Sequence, residues 1–149
     1  MSTVRKSVEI AAPIERVWAF TTDPGNLEQW VTIHRELRAH SPPPIRKGST
    51  IDQQLALAGA PFRVRWEVAD LAPPHRVVWD GRGPAHSRAT IEYKLTELPA
   101  GRTRFDYENE FKPPGGALGM VAGRVLMGGI TERQAERTLK RLKELLEGE

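Results

Sequence analysis

Residues 104–111 read Arg104-Phe105-Asp106-Tyr107-Glu108-Asn109-Glu110-Phe111, and they alternate without a break. Arg104, Asp106, Glu108 and Glu110 form a charged set, whereas Phe105, Tyr107, Asn109 and Phe111 are aromatic or carry an amide. A period of two puts the sets on opposite faces of a strand, one wet and one covered. Pro113-Pro114-Gly115-Gly116 then ends the extended pattern, after which Ala135, Leu139, Leu142 and Leu146 recur at helical spacing among charged residues. A sheet strand with one face to cover is thus followed by a C-terminal helix with one apolar stripe.

Further back, Phe62, Val64, Trp66 and Val68 oppose Arg63, Arg65 and Glu67, and Ile91, Tyr93 and Leu95 oppose Glu92, Lys94 and Thr96. Turn chemistry at Lys47-Gly48, Gly59-Ala60-Pro61, Pro73-Pro74, Gly81 to Pro84 and Pro99 to Gly101 divides Ile33 to Phe111 into six strands. One more strand opens the chain, with Val4, Lys6, Val8 and Ile10 on one face. Two short helices follow it: Pro13 leads Ile14, Val17 and Trp18, and Asp23-Pro24 is an N-cap and first-turn pair before Leu27 and Trp30. The order predicts an α+β helix-grip fold over residues 1–149 as a single domain: a seven-stranded antiparallel curved sheet wrapped on a long C-terminal helix, with two short helices after strand 1. A curved sheet leaves one straight helix, so a cavity between them is expected. The stripe of that helix, continued backwards, meets Gly128, Val125, Val121 and Ala117, all small or medium. This half either lies very close to the sheet or leaves a void.

Composition narrows the chemistry. A chain of 149 residues can bury an adequate core without staples. With no cysteine, a disulfide framework, a thiolate zinc site and a cysteine nucleophile are excluded. The N-terminus lacks an apolar signal core, and the weakly charged stretch 113–130 falls short of the ~20 apolar residues a membrane helix needs. A cytoplasmic protein without a transmembrane segment is expected. The net charge of +3 permits anionic partners, but Lys and Arg interleave with Asp and Glu, including on the terminal helix, and no nucleic-acid partner is expected.

The opening Val8-Glu9-Ile10-Ala11-Ala12-Pro13 with Val17-Trp18, and Asp23-Pro24 to Trp30, resemble the START-like (SRPBCC) superfamily, which includes polyketide cyclase/dehydrase and lipid-transport proteins. The resemblance spans essentially the whole chain. Within it, Trp30-Val31-Thr32-Ile33-His34-Arg35 and Lys47-Gly48 are similar to a branch named for the toxin component of toxin-antitoxin pairs. The superfamily implies a ligand-bearing cavity but hosts transporters, aromatases, cyclases and hormone receptors, so function has to come from the site.

By strand parity the covered face collects Leu37, Ile51, Gln53, Leu55, Phe62, Val64, Trp66, Trp79, Tyr93, Tyr107 and Asn109. An apolar wall with a few hydroxyl and amide groups suits a pocket. The competing reading is plain core, favoured for Phe62 and Trp66. Tyr93, Tyr107 and Asn109 weigh the other way, because three polar-tipped side chains on one buried face need partners. Leu37, Gln53, Leu55, Trp66, Trp79, Tyr93, Tyr107 and Asn109, joined by Val121 and Val125 from the helix, are the candidate ligand-binding set. Arg35 shares parity with Leu37 if no bulge intervenes, and its guanidinium would then fork onto a ligand carboxylate or enolate; an arginine reaching solvent is the plainer alternative. His34, His40, His75 and His86 form no pair at ligand spacing, so no metal or other cofactor is expected. No nucleophile announces itself. Gly115, Gly119 and Gly123 beside Met120, Val121, Leu126 and Met127 suit close helix contact with a partner, a gated cavity mouth or a touch on a membrane surface; a glycine-weakened helix start packed on the sheet is the plainer alternative.

The sequence therefore predicts binding or transport of a hydrophobic small molecule (lipid, polyketide-like or aromatic) by a monomer or homodimer. A polyketide aromatase/cyclase-type enzyme and a toxin-like interaction protein are the alternatives.

Overall fold

A computed structural model describes residues 2–57, 59–112 and 132–148. Strand β1 (Ser2–Ile10) leads into helix α1 (Ile14–Thr22), a single 3-10 turn (Pro24–Asn26) and the short helix α2 (Leu27–Trp30). Six strands follow: β2 (His34–His40), β3 (Thr50–Leu57), β4 (Ala60–Ala72), β5 (Arg76–Arg82), β6 (Arg88–Leu98) and β7 (Arg102–Lys112). Helix α3 (Glu132–Glu147) ends the described chain. All neighbours pair antiparallel in the order β1-β7-β6-β5-β4-β3-β2, so the first strand closes the sheet beside the last. This is the curved seven-stranded helix-grip arrangement that the alternation predicts.

The two short helices owe their bounds to proline. Pro13 stands at the N-cap of α1 with extended backbone (φ −67°, ψ 152°), one position earlier than its predicted place inside the first turn. Asp23, which precedes Pro24, cannot continue α1 because a residue before proline is driven out of the α region. It adopts φ −86°, ψ 113°, and its Oδ1 accepts the Gly25 N–H at 2.9 Å, starting the next turn. Within α1 the hydroxyls of Thr21 and Thr22 donate back to the carbonyls of Val17 and Trp18, so both threonines are buried without an unmet donor.

Helix α3 lays Ala135, Leu139, Leu142 and Leu146 on the covered face. Its C-terminal half closes a dry core with Ile10, Val17, Val77, Leu95 and Phe105. Polar contacts hold its outer flank against β1: Lys6 Nζ lies 2.9 Å from Glu136, and Lys143 Nζ donates to the Glu9 carbonyl at 2.7 Å. At its N-terminal half the hydroxyl of Thr138 meets the backbone N–H and hydroxyl of Thr32, which clips the α2–β2 connection to the helix.

Within the sheet the sequence reading is corrected at two places. Gly81, expected in a turn, lies inside β5 opposite Trp66. A Cβ there would stand 2.5 Å from Trp66 Cε3, so the glycine is a seat for the indole and not a turn device. The second correction is in β2, where the register shifts between His34 and Glu36. His34 pairs with Leu55 and Leu37 with Gln53, so both face inward across a three-residue step, and Arg35 is the bulged residue turned out to solvent.

Candidate functional site

The cavity lies between strands β3 to β7 of the sheet, the end of α1, α2 and the N-terminal part of α3. Counting its open mouth, it holds about 1160 Å³ of space. Of the sequence-predicted residues, Gln53, Leu55, Trp66, Trp79, Tyr93, Tyr107 and Asn109 all line it, together with Ile51, Phe62 and Val64 from the same face. Leu37 packs against the core but lines a shallow outer groove with Arg35, Glu28 and His34. The expectation that Arg35 aims into the cavity is overturned by the bulge: it is exposed, and its Nη1 donates to the neighbouring His34 carbonyl at 3.1 Å. Val121 and Val125, and the glycines at 115, 119 and 123, lie outside the described residues.

Aromatic rings form the boundary between this cavity and the dry core. Trp30 meets Phe105 edge-on, with centroids 6.2 Å apart, and Tyr93 at 5.8 Å, while Tyr93 stacks at a tilt on Tyr107. Such contacts are worth about 0.5–1.5 kcal/mol each beyond area burial. Burial keeps both phenols in their neutral form: it pushes the Tyr107 hydroxyl up to about 12 against the lowering effect of the Asn109 hydrogen bond, and the Tyr93 hydroxyl upward as well, with the neighbouring Tyr107 adding to the rise.

The polar groups of the wall fall into two sets. In the first, every tip is used: Trp66 Nε1 donates to Gln53 Oε1 at 2.9 Å, and Gln53 Nε2 lies 2.8 Å from His34 Nδ1. Because an indole can only donate, Gln53 must turn its oxygen to Trp66 and its NH2 to His34, which makes Nδ1 of His34 an acceptor and the ring neutral. Burial lowers the His34 pKa in the same direction, with Arg35 adding to it and Glu28 opposing it.

In the second set the tips are unmet. Asn109 Nδ2 donates to the Tyr107 hydroxyl at 3.1 Å, but Asn109 Oδ1, Trp79 Nε1 and Trp30 Nε1 are buried and find no hydrogen-bond partner among the described residues. These side chains are 6%, 5% and 0% exposed, so solvent does not satisfy them. An unmet buried polar atom costs about 1–3 kcal/mol. All three belong to residues that line one cavity, where buried polar atoms are ordinarily hydrogen-bonded.

The sequence pattern does not mark Trp30, Thr32 and Ser87 as lining residues, and it assigns His34 no partner in the wall. The signal for Trp30 was present, since Leu27 and Trp30 were already paired on one helix face. The signal for His34 was not, because the bulge that turns it inward leaves no mark in an alternating pattern. Among the described residues no three His, Asp or Glu side chains group as metal ligands. Among the described residues that line the cavity, the only charged side chain is the exposed Arg88 at the start of β6. Among the described residues the wall thus offers donors and acceptors and is lined by no Asp, Glu, His or Lys.

Residues 1–147 match the model of the family described as polyketide cyclase / dehydrase and lipid transport, and the chain belongs to that family. Toxin Rv0910 of Mycobacterium tuberculosis (strain ATCC 25618 / H37Rv) is 24% identical over 133 residues, covering 89% of this chain and 92% of that protein. Among solved structures, the Zhui aromatase/cyclase from Streptomyces sp. R1128 superposes with a TM-score of 0.74 at 17% identity, over 98% of this chain and 93% of that one. Protein CV1439 from Chromobacterium violaceum does so with a TM-score of 0.73 at 19% identity, over 99% of both chains. At these identities the likeness is one of fold. No helix of the described residues is long and apolar enough to cross a membrane.

Proposed function

We propose that this protein binds a predominantly apolar small molecule, of lipid, polyketide-like or aromatic type, in the cavity between sheet and helices. Gln53, Leu55, Trp66, Trp79, Tyr93, Tyr107 and Asn109 would form its wall, with Val121 and Val125 as further candidates. The observation that carries the reading is the combination of an apolar cavity and three buried polar atoms in its wall without partners among the described residues. Family membership supports it.

Binding is favoured over catalysis by the make-up of the wall. A cyclase must take a proton from carbon, and general acid-base work needs a group whose pKa lies near the working pH. Both tyrosines are pushed away from that range, and among the described residues no Asp, Glu, His or Lys lines the cavity. The likeness to a protein named as a toxin supports a second, interaction-based reading.

Native mass spectrometry of the chain as purified from cells tests the proposal. A stoichiometric apolar adduct is the expected result. The mass of the bare chain, with no thermal shift across lipids and aromatic polyketides, would overturn it. Growth arrest on expression would then move weight to the toxin-like reading.

A further inference from the structure

The unmet polar atoms specify more than an apolar guest. Trp79, Ile91 and Asn109 are successive partners in one row of the sheet, on β5, β6 and β7, and all three line the cavity. With neighbouring strands ~4.8 Å apart, the Cα atoms of Trp79 and Asn109 stand about 10 Å from each other, with Ile91 as an apolar floor between them.

The two ends ask for different chemistry. An indole N–H can only donate, so Trp79 takes an acceptor. Asn109 and Tyr107 act as a couple. With Asn109 Nδ2 donating to the Tyr107 hydroxyl, the couple presents the amide oxygen as an acceptor and the phenol O–H as a donor. If the amide turns over, the phenol donates to the oxygen, and the couple then presents an NH2 donor and a phenol oxygen acceptor. Either orientation offers one donor and one acceptor, which a hydroxyl satisfies in full and a carbonyl or an alkyl group does not. The phenol keeps its proton through the neutral range, so the donor is always present.

Resting on the binding reading above, we infer that the ligand is an uncharged, elongated, largely apolar hydroxy-carbonyl compound. Its hydroxyl seats on the Asn109–Tyr107 couple, and its carbonyl oxygen accepts from Trp79 Nε1 about two strand spacings away. A carboxylate at the Asn109 end would go unpaired, because among the described residues no cation lies beside it: the exposed Arg88 is three residues away from Ile91 along β6, opposite Lys112.

Isothermal titration of the full chain with a matched series tests this. 4-Hydroxychalcone carries both groups, chalcone lacks the hydroxyl, 4-hydroxystilbene lacks the carbonyl, and 4-carboxychalcone replaces the hydroxyl with a charge. The first binds, and the other three bind at least about tenfold more weakly, because each leaves a buried polar group unpaired or a charge unmatched. Asn109→Leu removes the preference for 4-hydroxychalcone over chalcone and keeps that over 4-hydroxystilbene; Trp79→Phe does the reverse. Retained chalcone binding shows that each variant is folded, and if either fails to fold, the wild-type series decides alone. Equal affinity across the four compounds overturns the inference and leaves the binding reading standing. Binding of none overturns the inference, and it takes the binding reading with it only if the native mass is also that of the bare chain.

Discussion

One covered face carries two different interiors. Under the C-terminal half of α3, Leu139, Leu142 and Leu146 meet Ile10, Val17 and Phe105, and this half is apolar and closed. Under its N-terminal half the helix presents Gln134, Ala135 and Thr138 to a cavity whose opposite wall holds Trp66, Trp79, Tyr107 and Asn109. The same sheet, with the same alternation, thus builds stability at one end and keeps a hole at the other. The difference comes from side-chain length on the helix: leucines reach the sheet, whereas an alanine and a threonine do not. What one half gains from burial offsets what the other half loses in unfilled space and unmet hydrogen bonds.

Substitutions sharpen that contrast. The largest effect is expected for Leu142→Ala, since the side chain is fully buried in the closed half and has no solvent to collapse toward. A loss of about 2–5 kcal/mol in a urea titration is expected; a loss as small as that of a surface change would mean the closed half is not closed. Next comes Gly81→Ala. The added methyl would meet the Trp66 ring at 2.5 Å, and because Trp66 is held by Gln53 the ring cannot swing aside freely. A cost of about 1–3 kcal/mol is expected, together with a change in Trp fluorescence; an unchanged melt would show that the indole is not seated on the glycine.

The third effect is a pH dependence that links the outer groove to the cavity wall. His34 is held neutral as the acceptor of Gln53, and its pKa in the folded protein is lowered by burial. In the unfolded chain it titrates near the ordinary 6.5. As pH falls through 6.5 the unfolded state takes up a proton that the folded state refuses, so stability declines from there downward and is fully present above it. The melting temperature of the wild type is therefore expected to fall between about pH 7.5 and 5.5 more than that of His34→Gln, which keeps an acceptor for Gln53 but does not titrate. Equal slopes would mean that the ring is not tied to Gln53.

These residues also mark how far the sequence could be read. Element order, the seven strands, the inward faces of β3 to β7 and the stripe of α3 all follow from period two and period 3.6, and they hold in the structure. Arg35 and His34 were misjudged together, because one extra residue in β2 exchanges inside for outside and a bulge has no composition signature. Gly81 was read as punctuation because glycine marks turns far more often than it seats a ring. The division of polar tips into met and unmet was beyond the sequence altogether. Trp66 and Trp79 are equivalent by parity, and only the three-dimensional reach of Gln53 distinguishes them.

The smallest stability effect is expected where a polar residue is replaced inside the protein, at Asn109. Asn109→Leu gives up one hydrogen bond to Tyr107, worth about 0.5–1.5 kcal/mol, and at the same time removes a buried oxygen whose unmet state costs about 1–3 kcal/mol. The two terms nearly cancel, so the melting temperature should stay level or rise slightly, although the residue is only 6% exposed. A plain core asparagine with all its bonds made would behave in the opposite way, and its loss would rank with Leu142→Ala. A near-zero change at Asn109 beside a large one at Leu142 would establish that this end of the sheet gives up stability to keep a polar group free. A large loss at both would make the two halves one core.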